Sequence, residues 1–227
     1  MTTDKHSAEI GEKVRLGDSA ALSVKHHLSR QHFWAARYFA TESERIENLG
    51  MQGISEDDRK RHQAYVVGAI ISAIAALEAS INEFYQEAVD KSRNTLPGLT
   101  DRQFELLAEL WTQIERRPIL HKYQVALLAA EADIFDKGAP PYQDVYNLVK
   151  LREALVHYKP QWDDEKGHHT NLESRLRDKF PLNALSQPRS LWFPQRCLGF
   201  GCANWGLNTV SEFISEFCKR IHIPNRL

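Results

Sequence analysis

Ser55-Glu56-Asp57-Asp58, followed by Ala69-Ile70-Ile71-Ser72-Ala73-Ile74-Ala75-Ala76-Leu77-Glu78-Ala79-Ser80-Ile81-Asn82-Glu83-Phe84, decides the fold. The serine can accept hydrogen bonds from the first free amides of a helix, and the three acids suit the positive end of its dipole. From there the pattern runs as one helix to about residue 91. Ile70, Ile74, Leu77, Ile81 and Phe84 make a stripe of large apolar residues. Gly68, Ser72, Ala76 and Ser80 make a second stripe of small ones, on which another helix can approach closely. A helix with two such stripes is central and touched on two sides. Its most apolar run, 66–77, is shorter than the roughly 20 residues a bilayer needs. Arg59, Lys60, Arg61 and Glu78 flank it, so a core helix is expected and no membrane partner.

The neighbouring segments are helical too. Residues 28–48 carry Phe33, Ala36, Ala40 and Ile46 at helical spacing, stopped by Gly50 and Gly53. Thr100-Asp101 begins a helix through Leu106, Leu107, Leu110 and Trp111. Pro118 suits the first turn of the next, 120–130. After the break Gly138-Ala139-Pro140-Pro141 comes a helix over 142–158, then a polar loop to about 170 and a short helix at 172–180. A long segment punctuated by Pro181, Pro188 and Pro194 follows, and a last helix spans 202–221 with Trp205, Val210, Phe213, Ile214 and Phe217 on its apolar face. No segment alternates with a period of two, so no sheet is predicted. The expectation is an all-α up-and-down bundle with a long central helix, 28–227, behind a polar N-terminal arm, 1–27.

Composition narrows the function classes. The chain has 227 residues and a formal net charge of −1, so no global basic field draws in nucleic acid and any RNA contact needs a local patch. Cys197, Cys202 and Cys218 are odd in number and lack metal-type spacing, which fits reduced thiols in a cytoplasm. No N-terminal stretch has the shape of a signal peptide. The adjacent pairs His26-His27 and His168-His169 lack further ligands at metal spacing, so neither a metal nor another cofactor is expected.

The chemistry-bearing stretch is Leu148-Val149-Lys150-Leu151-Arg152-Glu153-Ala154-Leu155-Val156-His157-Tyr158-Lys159-Pro160. Arg152 falls near the middle of the apolar face made by Val145, Leu148, Val149, Leu151, Leu155 and Val156. Arginine is rarely buried unpaired, so it has a carboxylate partner or faces a crevice. Glu78, a charge on the apolar side of the central helix, is the candidate partner. His157 lies about 140° around an ideal helix from Arg152. The two converge only if the helix loosens before Pro160 or a second chain brings its own copy. Glu153, one turn before His157, would favour a protonated imidazole. Arginine and histidine at this spacing also occur at Arg116 and His121, across Pro118, where a helix boundary makes the match accidental. The structural alternative is an arginine packed for stability and a histidine on the helix dipole's negative end.

The stretch 148–160 resembles the signature helix of the HEPN superfamily (higher eukaryotes and prokaryotes nucleotide-binding helical domains), an arginine, four to six residues, then histidine and often an aromatic. The run 69–84, with Glu78 and Asn82, is similar to the long helix of such domains, and Cys202-Ala203-Asn204-Trp205 to the start of their closing helix. The resemblance covers about 55–222. It implies a helical homodimer and a metal-independent endoribonuclease, often a toxin or defence effector with a cognate antitoxin or other protein partner. It also implies attack of the RNA 2′-hydroxyl on its phosphate, with Arg152 and His157 of both subunits in one cleft and Glu78, Asn82, Glu153 and Tyr158 supporting them. Glu153 departs from the polar amide that often follows the motif arginine. A catalytically inactive module that binds a nucleotide, RNA or protein, and a purely structural helical dimer, are the alternatives. Lys159, Arg175, Arg177 and Lys179 follow the motif and are the RNA-facing candidates, with Arg189 and Arg196 behind them. Trp192 and Phe193 would stack on bases or pin their loop to the core.

Overall fold

The long helix is present and organises the molecule. A computed structural model describes residues 25–159 and 170–227. Most of the expected arm, the loop after Lys159 and His168-His169 lie outside the described residues. Among the described residues every regular element is helical: α1 (Ser29–Glu47), α2 (Gly50–Gly53), α3 (Glu56–Val89), α4 (Asp101–Ile114), α5 (Ile119–Ala129), α6 (Tyr142–Val156), α7 (Thr170–Leu176) and α8 (Phe200–Arg220). A kinked turn at Trp192–Arg196, with Phe193 in extended backbone, interrupts the proline-punctuated segment. The short helix predicted at 172–180 sits earlier, and the one-turn α2 occupies the place expected to be only a stop.

α3 starts in the predicted way. The Asp58 amide donates to Ser55 Oγ at 3.0 Å, and the Ser55 amide donates to Asp58 Oδ2 at 3.2 Å. At 1.5 Å per residue its 34 residues extend about 51 Å. It packs against α1, α4, α5, α6 and α8, so the core of the bundle is built around it. Length and hydropathy would also let α3 cross a bilayer, with 44% of its most apolar stretch buried in the fold, which the shorter 66–77 run understates.

α1 lies antiparallel along α3, its start beside Glu83 and its end beside His62. The small-residue stripe explains the closeness: a Cβ on Gly68 would sit 3.0 Å from the Phe39 ring. α8 closes the other side, and an aromatic cluster of Phe84, Tyr123, Phe213 and Phe217 in edge-to-face contact fills the junction with α5.

Among the helices without a capping side chain of their own, α1 and α8 borrow one. At the start of α1, Glu83 of α3 accepts from the Leu28 amide at 2.7 Å, the Ser29 amide at 2.9 Å and the Ser29 hydroxyl at 2.6 Å. At the start of α8, Glu47 of α1 accepts from the Phe200 amide at 2.6 Å. A carboxylate there satisfies orphan amides and opposes the helix dipole. The chain is tied down from residue 25, since Lys25 Nζ lies 2.7 Å from both Glu87 and Asp90; the last residues of the predicted arm are therefore not loose.

Candidate functional site

α6 buries Val145, Asn147, Leu148 and Leu151. Leu148 meets α8 at Gly206, where an added Cβ would stand 3.0 Å from Leu148 Cδ1. Arg152 follows Leu151 at the rim of this face and is half-buried. Among the described residues it makes no ion pair or hydrogen bond. The helix ends one residue before the motif histidine. His157 is the C-cap, its amide donates to the Glu153 carbonyl at 2.9 Å, and its φ and ψ of −105° and 30° leave the helical path. The helix thus ends before Pro160, and among the described residues no hydrogen bond or ion pair joins His157 to Arg152. The His157 side chain is exposed, and Tyr158 turns toward the Phe193 ring, 6.1 Å between centroids.

Two expected partnerships are not made. Glu78 does not pair with Arg152; it lies 3.7 Å from Lys122 Nζ. Lys122 is only 2% exposed, donates to Asn82 Oδ1 at 2.9 Å and sits 5.5 Å from the centre of the Trp111 ring. A buried ammonium needs such partners, and Glu78 and Asn82, one turn apart on α3, both reach it. Glu78 and Asn82 thus serve a lysine on α5. The signal that drew attention to Arg152, a cation within an apolar helix, also marks Lys122. The second correction concerns Glu153. Its carboxylate accepts from Lys150 Nζ at 2.7 Å, and among the described residues nothing joins it to His157. That bond raises the Lys150 pKa above the usual lysine range, outweighing partial burial.

The RNA-facing candidates divide. Arg177 is bound to Glu173 at 2.6 Å and Lys179 to Asp144 at 2.8 Å. Arg175 lies 5.7 Å from the centre of the Tyr146 ring, and Lys150 lies 5.6 Å from the same centre. Lys159 is exposed at the edge of the described chain. Trp192 and Phe193 are buried and pin the segment to the core. Thiol chemistry is disfavoured: burial, helped by Cys197, pushes the Cys202 thiol up, and burial pushes Cys218 up to about 11. Among the described residues no three His, Cys, Asp or Glu side chains are placed to hold a metal ion.

Sequence reading missed a cleft of about 490 Å³ along α8. Asn204, Trp205, Asn208, Thr209 and Glu212 line one wall, residues 179–182 the other, with Glu47 and Asp144 also bordering it. Residues 179–182 form a strap pressed onto the start of α8: a Cβ on Gly201 would collide with the Pro181 carbonyl oxygen.

The fold is an all-α bundle that carries Arg152 in the last turn of its sixth helix and His157 at that helix's end. Comparison with protein-family models, curated proteins and solved structures gives no match for this chain.

Proposed function

We propose that this chain is a metal-independent endoribonuclease of HEPN type, acting as a homodimer with Arg152 and His157 at the shared cleft. The observation that carries the reading is Arg152: a half-buried arginine with no ion pair or hydrogen bond among the described residues, five residues before an exposed histidine. An unpaired arginine there is suited to a phosphate. In the proposed reaction one histidine takes the proton of the RNA 2′-hydroxyl as its oxygen attacks the adjacent phosphorus. The second subunit's histidine gives a proton to the departing 5′-oxygen. The products are a 2′,3′-cyclic phosphate and a 5′-hydroxyl. Arg152 holds the charge that develops on the phosphorane oxygens. Val156 and Tyr158, at 55% and 39% exposure, flank His157 and give this end of α6 an apolar rim that a second copy would cover. The ring of Tyr146 with Lys150 and Arg175 offers a place for an RNA base and its phosphates farther along the helix.

A silent, RNA-binding version of the same module is favoured by one feature. Arg177 and Lys179 already carry carboxylate partners, so few cations near the motif remain for substrate. An RNA cleavage assay in chelator, with wild type beside Arg152→Ala and His157→Ala and analysis of product ends, separates the readings. Cyclic-phosphate ends made by wild type and lost in both variants are expected. Equal cleavage by wild type and His157→Ala removes the proposed mechanism. RNA retention without cleavage selects the silent module.

A further inference from the structure

Arg152 and His157 do not line the cleft on α8, and its chemistry is opposite in sign. Three carboxylates line it, Glu47, Asp144 and Glu212, against one cation, Lys179. Lys179 is already held by Asp144 at 2.8 Å. Glu47 Oε1 is engaged by His62 Nε2 at 2.8 Å and by the Phe200 amide. Glu212 stands exposed and, among the described residues, has no cation beside it. A phosphate-bearing ligand would be repelled here.

The cleft also has groups prepared for hydrogen bonding. Thr209 is only 4% exposed and lines the cleft. Its hydroxyl makes no hydrogen bond among the described residues, so it is free to bond a ligand in the cleft. Asn204 and Asn208 precede Glu212 by two turns and one turn on the same face of α8 and likewise carry no internal partner among the described residues. From Asn204 to Glu212 the row extends about 12 Å. Beside it, the Trp205 and Phe180 rings lie 5.3 Å apart and provide an apolar wall with π faces.

We propose that this cleft binds a linear aliphatic polyamine. The ammonium groups meet Glu212, the Asn204 and Asn208 amide oxygens and the Thr209 hydroxyl. The methylene segments lie along Trp205 and Phe180, whose ring faces also attract the charged ends. A volume of about 490 Å³ lies within the ordinary range for small-molecule sites.

Isothermal titration calorimetry of the full chain with spermidine at low ionic strength tests the proposal. Thr209→Val keeps the shape of the side chain and removes the hydroxyl; Glu212→Gln removes the exposed charge. Circular dichroism checks that both variants remain folded. One saturable site is expected, weakened tenfold or more by each substitution and unchanged by Arg152→Ala or His157→Ala, so that the outcome stands apart from the ribonuclease test. Magnesium at equal charge concentration is expected not to displace spermidine. Absence of saturable binding, binding indifferent to both cleft substitutions, or equal displacement by magnesium overturns the proposal.

Discussion

The Glu47 carboxylate accepts a hydrogen bond from the Phe200 amide at 2.6 Å, joining the end of α1 to the start of α8 across 153 residues of sequence. The same oxygen holds His62 of α3, which is 2% exposed. One carboxylate therefore caps one helix and fixes the relative placement of three. Glu47→Ala removes the cap and leaves a buried imidazole without its partner, at an expected cost of about 2–3 kcal/mol. Glu47→Gln retains an acceptor and is expected to cost about 1 kcal/mol. Urea denaturation of the two variants beside wild type measures both values. Equal stability of all three would show that the junction does not depend on this residue.

Lys122 and Glu78 differ in how much they hold. The lysine is buried among Asn82, Trp111 and the more exposed Glu78, whose side chain is 41% accessible. Removing the exposed partner leaves the ammonium its bond to Asn82, so Glu78→Gln is expected to cost less than about 1 kcal/mol. Asn82→Ala takes away the 2.9 Å acceptor and is expected to cost about 1–3 kcal/mol. Thermal unfolding of both variants supplies the comparison. The reverse order would make Glu78 the principal counter-charge.

Much of the fold is legible in the sequence because its signals are local. Ser55 and Thr100 cap the helices they were expected to begin, and Pro118 sits directly before α5. Gly68 admits Phe39, as the small-residue stripe predicted. The unread parts are non-local. Nothing near Leu28 or Gly199 announces a cap, because Glu83 and Glu47 reach those helix starts from other elements. The partner of a cation in a helix face depends on helix packing, which is why Glu78 was assigned to Arg152 and found beside Lys122. The α8 cleft depends on a proline-punctuated strap whose path no periodicity encodes. At the candidate site the Arg152–His157 spacing and the helix end could be read directly; Glu153 turning to Lys150 rather than His157 could not.

That choice by Glu153 has a measurable consequence under the ribonuclease reading. Its bond neutralises Lys150, one of two cations over Tyr146. Glu153→Gln should release the lysine for a phosphate. RNA binding, measured by fluorescence anisotropy in a His157→Ala background, is then expected to tighten, with a salt dependence steeper by up to about one counterion. An unchanged affinity and salt slope would place the Tyr146 face off the RNA path.

Glu87 is expected to contribute to the acid limb of stability. It is buried beneath residues 25–27: Lys25 Nζ lies 2.7 Å from it, His27 Nε2 2.9 Å, and the Thr95 hydroxyl donates to it at 2.9 Å. Burial alone would raise its pKa, but hydrogen bonds from Lys25, Ser92 and Thr95 outweigh that and hold it at about 2, below the ordinary 4.5. The folded state thus favours the charged carboxylate. Its contribution is fully present above pH 4.5 and fades as pH falls from 4.5 toward 2. Allowing for solvent screening, the contribution is about 1–2 kcal/mol. Glu87→Gln is expected to lower stability at pH 7 and to flatten its decline below pH 4.5, as followed by urea midpoints across the acid range. A decline as steep in the variant as in wild type would assign the acid sensitivity to other carboxylates.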